Sequence, residues 1–193
     1  GAGQNPARQA AIKSGIPVNK TAYVVNQVCG SGLRSIASGY QAILNNDANI
    51  VVAGGQESMT NASHVIDIRK GKKLLESELQ DTMIYDGLWD AFYNYHMGVT
   101  AENVADKWKI SRDDQDNFAF MSQSKAQKAI QDKKFEEEII KVEKLIQDEY
   151  PRKDVTKETL SRLKPVFKKD GTVTAGNSSG INDGAAAVIL MTE

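Results

Sequence analysis

The sequence is poor in the groups that announce a disulfide or a metal centre. A single cysteine, Cys29, cannot close an internal disulfide, and together with only two histidines, His64 and His96, it falls short of a structural zinc set unless carboxylates join in. No metal is expected, and a reducing, cytoplasmic compartment is the default. Charge of one sign is not in excess either. Lys and Arg number 24 against 25 Asp and Glu, a net charge of -1, so neither nucleic acid nor an anionic membrane surface is an expected partner. Long hydrophobic runs are lacking: a stretch such as Ala185–Met191 is far too short to span a bilayer, which predicts a soluble chain. Gly1-Ala-Gly-Gln-Asn-Pro6 has neither an initiator Met nor a signal peptide and runs straight into a helix start, so a piece of a longer protein is expected.

What remains is an ordinary globular composition, 40% hydrophobic and 25% charged over 193 residues, enough for one sizeable core or two small ones. Small-molecule chemistry is the favoured function class. Asn5 as N-cap, Pro6 at the first helical position and Gly15 past the end predict a helix over 7–14. The β-branched and aromatic run Ala22–Val28 predicts a strand, ended by Cys29-Gly-Ser-Gly32. Leu33, Ile36, Ala37, Tyr40, Ile43 and Leu44 then recur at helical spacing as one apolar face, and Ile50–Gly54 reads as a buried strand. Residues 22–54 are therefore expected to form a βαβ unit with parallel strands, an α/β signature. Between Gly55 and about Gly98 the periodicity is lost. Helices are predicted over 99–109 and 112–131, the second capped by Ser111 with Asp114 three residues on, followed by a weak strand over 139–146, a short helix over 157–163 and a strand over 185–191.

Cys29 carries the strongest chemical signal. A cysteine between a strand end and a helix start sits near unpaired helix N–H groups and the positive end of the dipole, which favours the thiolate. Gly30 and Gly32 supply the tight turn and the open space that a substrate carbonyl needs. Free cysteines are usually inert and buried, but the elbow reverses those odds. His64 has no partner that the sequence names and is read as structural. A serine hydrolase is rejected, because Ser178 and Ser179 lie in no serine elbow.

Four segments then combine: Asn26-Gln-Val-Cys-Gly-Ser-Gly-Leu33, Gly54-Gly-Gln-Glu-Ser-Met59, Tyr95-His-Met-Gly98 with Thr100-Ala-Glu-Asn103, and Gly171-Thr-Val-Thr-Ala-Gly-Asn-Ser-Ser-Gly-Ile-Asn-Asp-Gly184. In this order and spacing the chain resembles the thiolases, and among them the acetyl-CoA acetyltransferases, along its whole length. The resemblance implies a layered αβα fold. Residues 1–57 and 176–193 would belong to part of the N-terminal half, and 58–175 to an inserted loop domain covering coenzyme A. It implies that Cys29 takes the acyl group and that Leu88, His96 and Met97 line the pantetheine and acyl pocket. Arg152 and Leu160 would lie near the nucleotide of CoA, and Ala175 and Ser179 against the pantetheine arm.

The implied substrates are acetyl-CoA, acetoacetyl-CoA and CoA, with no separate cofactor, in a homodimer or homotetramer. The alternatives are a degradative 3-ketoacyl-CoA thiolase acting on longer chains and a non-catalytic CoA-binding or dimer-forming module; a ketoacyl synthase shares the fold but not these motifs. The Asn-Glu-Ala-Phe, Gly-His-Pro and Cys-x-Gly-Gly-Gly segments that the resemblance also implies do not occur in residues 1–193. The chain is accordingly expected to be a fragment that is inactive by itself.

Overall fold

A computed structural model of the chain describes residues 2–69, 71 and 78–193. They form two compact units, one of residues 1–87 with 182–193 and one of residues 88–181.

The first unit opens with α1 (Pro6–Lys13). The Asn5 side chain accepts from the Arg8 N–H at 3.0 Å and satisfies one of the free N–H groups of the first turn, while Gly15 leaves the helix at φ 90°. The same two side chains hold the next segment: Asn5 Nδ2 donates to the Ala22 carbonyl at 2.9 Å, Arg8 Nη2 to that of Val18 at 2.7 Å, and Arg8 Nη1 to that of Lys20. The predicted strand over 22–28 is consequently not formed. No neighbouring strand lies alongside it among the described residues, and its pairing is reduced to an isolated Gln27–Cys29 bridge.

After the Cys29 turn, α2 (Ser31–Leu44) leads to β1 (Ile50–Ser58). The parallel βαβ unit is replaced by an antiparallel pair: β1 lies against β4 (Asp183–Met191) in the register Ile50 opposite Met191 to Ser58 opposite Asp183. Glycine permits the closest approaches. A Cβ on Gly54 would come within 2.2 Å of the Ala186 carbonyl, and one on Gly39 within 2.8 Å of Leu190 Cδ1 and 3.0 Å of Val51 Cγ1. Through Gly39, and through Ser35 Oγ donating to the Gly54 carbonyl at 2.8 Å, α2 packs on the sheet face that carries Val51, Ala53 and Leu190. The apolar stripe read from the sequence is partly open, with Leu33 75% and Tyr40 58% exposed. The opposite sheet face, carrying Ile50, Val52, Ile189 and Met191, is also exposed. Two short strands, β2 (His64–Val65) and β3 (Gln80–Asp81), pair antiparallel.

The second unit follows a π-helical stretch, Met83–Leu88, that crosses the unit boundary. It contains α3 (Met97–Trp108), α4 (Arg112–Gln131) and α5 (Lys157–Ser161). The cap of α4 is as read: Ser111 accepts from the Asp114 N–H while Asp114 accepts from the Ser111 N–H. The strand expected over 139–146 is absent; Val142 and Leu145 close a tight turn on themselves, with Glu143 in the left-handed region at φ 52°. The segment 165–180 is fixed by polar groups rather than by a ladder, starting from a bridge between Pro165 and Thr174. Among the described residues no helix is long and apolar enough to cross a membrane.

Candidate active site and coenzyme-facing segments

Cys29 sits at an exposed elbow. Val28, just before it, holds the left-handed conformation at φ 51°, a real outlier for a β-branched residue. The elbow is tied by its own atoms: the Val28 N–H donates to Asn26 Oδ1 at 3.0 Å, the Gln27 N–H to Ser31 Oγ at 2.8 Å, and Ser31 Oγ to the Val28 carbonyl at 2.7 Å. Gly30 is the N-cap of α2 and brings no side chain to cap it. The N–H groups of Ser31 and Arg34 bond the carbonyls of Val28 and Gly30, whereas those of Gly32 and Leu33 meet no acceptor among the described residues. A Cβ at Gly32 would meet nothing within 4 Å, so the first turn of α2 is open at that position. The expected elbow is therefore present even though the strand before it is not.

At the other end of unit 1, Asp183 ties the start of β4 to the turn after β1. It accepts from the Thr60 hydroxyl, the Thr60 N–H at 3.0 Å and Ser58 Oγ at 3.2 Å. These bonds, that of the Thr60 hydroxyl foremost, hold its pKa below the usual aspartate value. Two of the motifs, Gly54–Met59 and Asn182–Gly184, thus meet through the sheet register. His64, for which no partner is apparent in the sequence, faces Asp81 across the β2–β3 pair at 3.9 Å.

In unit 2 two of the expected coenzyme-facing residues, His96 and Met97, open α3. His96 is the N-cap of α3: its Nδ1 accepts from the Gly98 N–H at 2.9 Å, so the neutral ring inferred from this bond carries its proton on Nε2. The ring stacks on Phe167 with centroids 4.8 Å apart, and a Cβ at Gly98 would fall 2.2 Å from Phe167 Cγ. Met97 lines an apolar groove with Thr100, Ala101, Val104, Ala105 and Ile110. Leu88, half-buried, ends the π-helical stretch. Ala175 and Ser179 are exposed on the 171–180 segment. Leu160 is 4% exposed, on the inner face of α5 beside Gly176, and Arg152 is an exposed residue whose N–H donates to Gln123 Oε1 at 3.0 Å. Cys29 belongs to the other unit.

The sequence reading missed the buried polar groups beneath the 171–180 segment. Glu102 on α3 and Asp116 on α4 are 2% and 4% exposed. Burial raises the pKa of Glu102, but hydrogen bonds from Val173 and Thr172 and the charge of Lys168 outweigh it and leave the net shift downward. Asp116 accepts from Arg112 Nε at 2.7 Å and Asn177 Nδ2 at 2.9 Å, and Arg112 also donates to the Leu160 and Leu163 carbonyls. Glu102 and Asp116 fall on the helix faces that turn inward, where a charge must be paired, and no apolar spacing marks Glu102, since Val104 and Trp108 of the α3 stripe are exposed. Among the described residues no group of three or more His, Cys, Asp or Glu side chains could hold a metal ion.

Comparison with known proteins gives a family match along residues 1–193, to the thiolase N-terminal domain. The chain is 54% identical over 201 residues to an acetyl-CoA acetyltransferase of Rhizobium meliloti (strain 1021), covering 100% of this chain and 51% of that protein. It is 56% identical over 199 residues to an acetyl-CoA acetyltransferase of Paracoccus denitrificans, covering 99% and 51%. Among solved structures, the acetyl-CoA acetyltransferase from Syntrophomonas wolfei superposes with a TM-score of 0.94 at 38% identity, over 100% of this chain and 50% of that one. The expected layered α/β class agrees with that superposition, and the chain spans about half the length of these relatives.

Proposed function

This chain belongs to the thiolase N-terminal domain family, and we propose that it carries the nucleophile of an enzyme interconverting two acetyl-CoA with acetoacetyl-CoA plus CoA. The observation that supports this most directly is Cys29 itself, an exposed thiol just before the uncapped start of α2, where the Gly32 and Leu33 N–H groups meet no acceptor among the described residues. Helix N-termini stabilise negative charge, here on the sulfur or on an adjacent oxygen.

In the degradative direction Cys29 Sγ attacks the ketone carbon of acetoacetyl-CoA. The carbon–carbon bond breaks, its electron pair leaves with acetyl-CoA as an enolate, and a proton completes that product. The acetyl group stays on Sγ until the thiol of a second CoA attacks it, giving a second acetyl-CoA and the free cysteine. The electrons are carried entirely by thioester chemistry, so CoA thioesters are substrates and no further cofactor is required.

In this reading residues 58–175 cover coenzyme A, while 1–57 and 176–193 carry and support the nucleophile. Leu88, His96 and Met97 bound the acyl and pantetheine pocket, Ala175 and Ser179 face the pantetheine arm, and Arg152 and Leu160 stand near the nucleotide. The working enzyme is a cytoplasmic homodimer or homotetramer. A filled pocket favours acetoacetyl-CoA over a 3-ketoacyl-CoA of six carbons or more by about ten- to a hundredfold, since each extra methylene must be overpacked.

The deciding experiment is Cys29→Ser in the intact protein, read by mass spectrometry for the acetyl adduct and by acetoacetyl-CoA thiolysis, with CoA affinity measured calorimetrically. Loss of adduct and turnover with CoA affinity retained is the expected result. Turnover retained by the variant would place the nucleophile elsewhere.

A further inference from the structure

Glu102 takes no part in the chemistry above, yet it is a nearly enclosed charge, 2% exposed. Its oxygens accept four hydrogen bonds, all from one short stretch of chain. The Thr172 N–H reaches both oxygens at 2.9 Å, the Val173 N–H reaches Oε1 at 2.8 Å, and the Thr172 hydroxyl reaches Oε2 at 3.0 Å. Gly171 leaves room for the carboxylate, since a Cβ there would lie 2.3 Å from Glu102 Oε1. The Thr172 hydroxyl is held from its other side by Gln115 Nε2 at 2.9 Å, so it accepts from Gln115 and donates to Glu102. Every group around the carboxylate is a donor, and an ionised acid is the side chain that fits.

The same helix grips the 165–180 segment twice more, through the His96–Phe167 stack and through Asp106 with Lys168 at 2.9 Å. Of the three grips, the Glu102 bonds alone fix backbone, and they do so just before the exposed positions Ala175 and Ser179. We propose that Glu102 is a positioning residue for coenzyme A. It locks the backbone at 172–173 to α3, so that the pantetheine-facing positions Ala175 and Ser179 keep a fixed spacing from His96 and Met97 at the start of that helix. The proposal rests on the coenzyme A reading given above.

Glu102→Gln keeps the shape but sets an amide NH2 where an acceptor is needed. It is to be compared with the unsubstituted intact protein in acetylation of Cys29 from two donors, acetyl-CoA and S-acetyl-N-acetylcysteamine, the latter lacking most of the pantetheine arm. The expected result is a KM for acetyl-CoA raised about tenfold, the effect of one or two lost charge-assisted bonds, with kcat little changed and the short donor unaffected. An equal effect on both donors, or none on either, overturns the proposal, because a purely structural glutamate would not discriminate between them. Should Glu102→Gln fail to fold, Thr172→Val removes one hydroxyl and keeps the backbone bonds; a rise of about threefold for acetyl-CoA alone is then expected, and an unchanged KM overturns the proposal. If the unsubstituted protein acetylates Cys29 from neither donor, the coenzyme A reading itself fails and this inference with it.

Discussion

Replacing Asn177 by alanine should be among the most damaging single changes in unit 2, and its cost can be worked from its three partners. Its Oδ1 accepts from the Thr174 N–H at 2.7 Å, and its Nδ2 donates to Asp116 Oδ1 at 2.9 Å and to the Thr172 carbonyl at 3.1 Å. Thr174 is 0% and Asp116 4% exposed, so neither can turn to water when the amide is removed. A buried polar group left without a partner costs about 1–3 kcal/mol. Asp116 keeps Arg112 at 2.7 Å, and the half-buried Thr172 carbonyl can take up water. The Thr174 N–H and Asp116 Oδ1, the oxygen that Arg112 does not bond, remain orphaned, and Asn177→Ala should cost about 2–5 kcal/mol, a large share of a typical domain's stability. Urea unfolding at constant m-value measures it, and a loss below about 1 kcal/mol would refute the accounting. Asn177→Asp sharpens the test. One oxygen still accepts from Thr174 while the other meets the Asp116 carboxylate, so the pair cannot readily ionise twice and one folded pKa is raised. An acid with a raised folded pKa is at its best below its unfolded value of about 4 and loses ground as pH rises toward the folded one. The aspartate variant should therefore be closest to the parent in acid and fall away toward neutrality, and a gap independent of pH would contradict this.

Gly98→Ala should cost about 1–3 kcal/mol by driving Phe167 off the His96 ring; differential scanning calorimetry of the single variant and of Gly98→Ala combined with Phe167→Leu should show the double variant recovering part of the loss. Asp183 has a depressed folded pKa, so its contribution is present above the ordinary aspartate value of about 3.9 and fades as pH falls through the folded one. Thr60→Val should flatten the acid limb of the stability profile, and acid titrations of the two proteins that overlay would exclude that role. Val28→Gly should stabilise the chain by about 1 kcal/mol, because glycine adopts φ 51° without strain and the valine side chain it removes is 60% exposed; a lower melting temperature would show that the side chain packs more than its exposure indicates.

Local chemistry in the sequence was a good guide wherever a structure depends on its neighbours along the chain. The α1 and α4 caps, at Asn5 and at Ser111 with Asp114, lie where the side chains predicted them, and so does the Cys29 elbow. Pairing between distant segments was not legible. Ala22–Val28 has strand composition, but strand propensity needs a neighbouring strand, and the carbonyls around it are held by Asn5 and Arg8 instead. The apolar stripe of α2 was readable as a stripe, yet the helix rests on the sheet through Gly39 and Ser35, which no hydrophobic pattern marks. At the candidate site, Cys29 and His96 could be named from motifs, whereas Glu102 is held by Thr172 and Val173, 70 and 71 positions away, and Asp116 and Asn177 meet across 61.

The β1–β4 ladder dictates an order of assembly. Its nearest joined ends, Ser58 and Asp183, stand 125 positions apart, and the whole of the second unit, residues 88–181, is threaded between them. Closing so long a loop is entropically costly unless the intervening chain has already compacted, and contacts of high sequence separation are made slowly. Unit 2 is contiguous and can fold as soon as its last residues are synthesised, while β1 must wait for the final residues of β4, the one strand it pairs with among the described residues. Pulse-labelled hydrogen exchange during refolding should therefore protect the amides of α3 and α4 first and those of Val51 to Gly55 last.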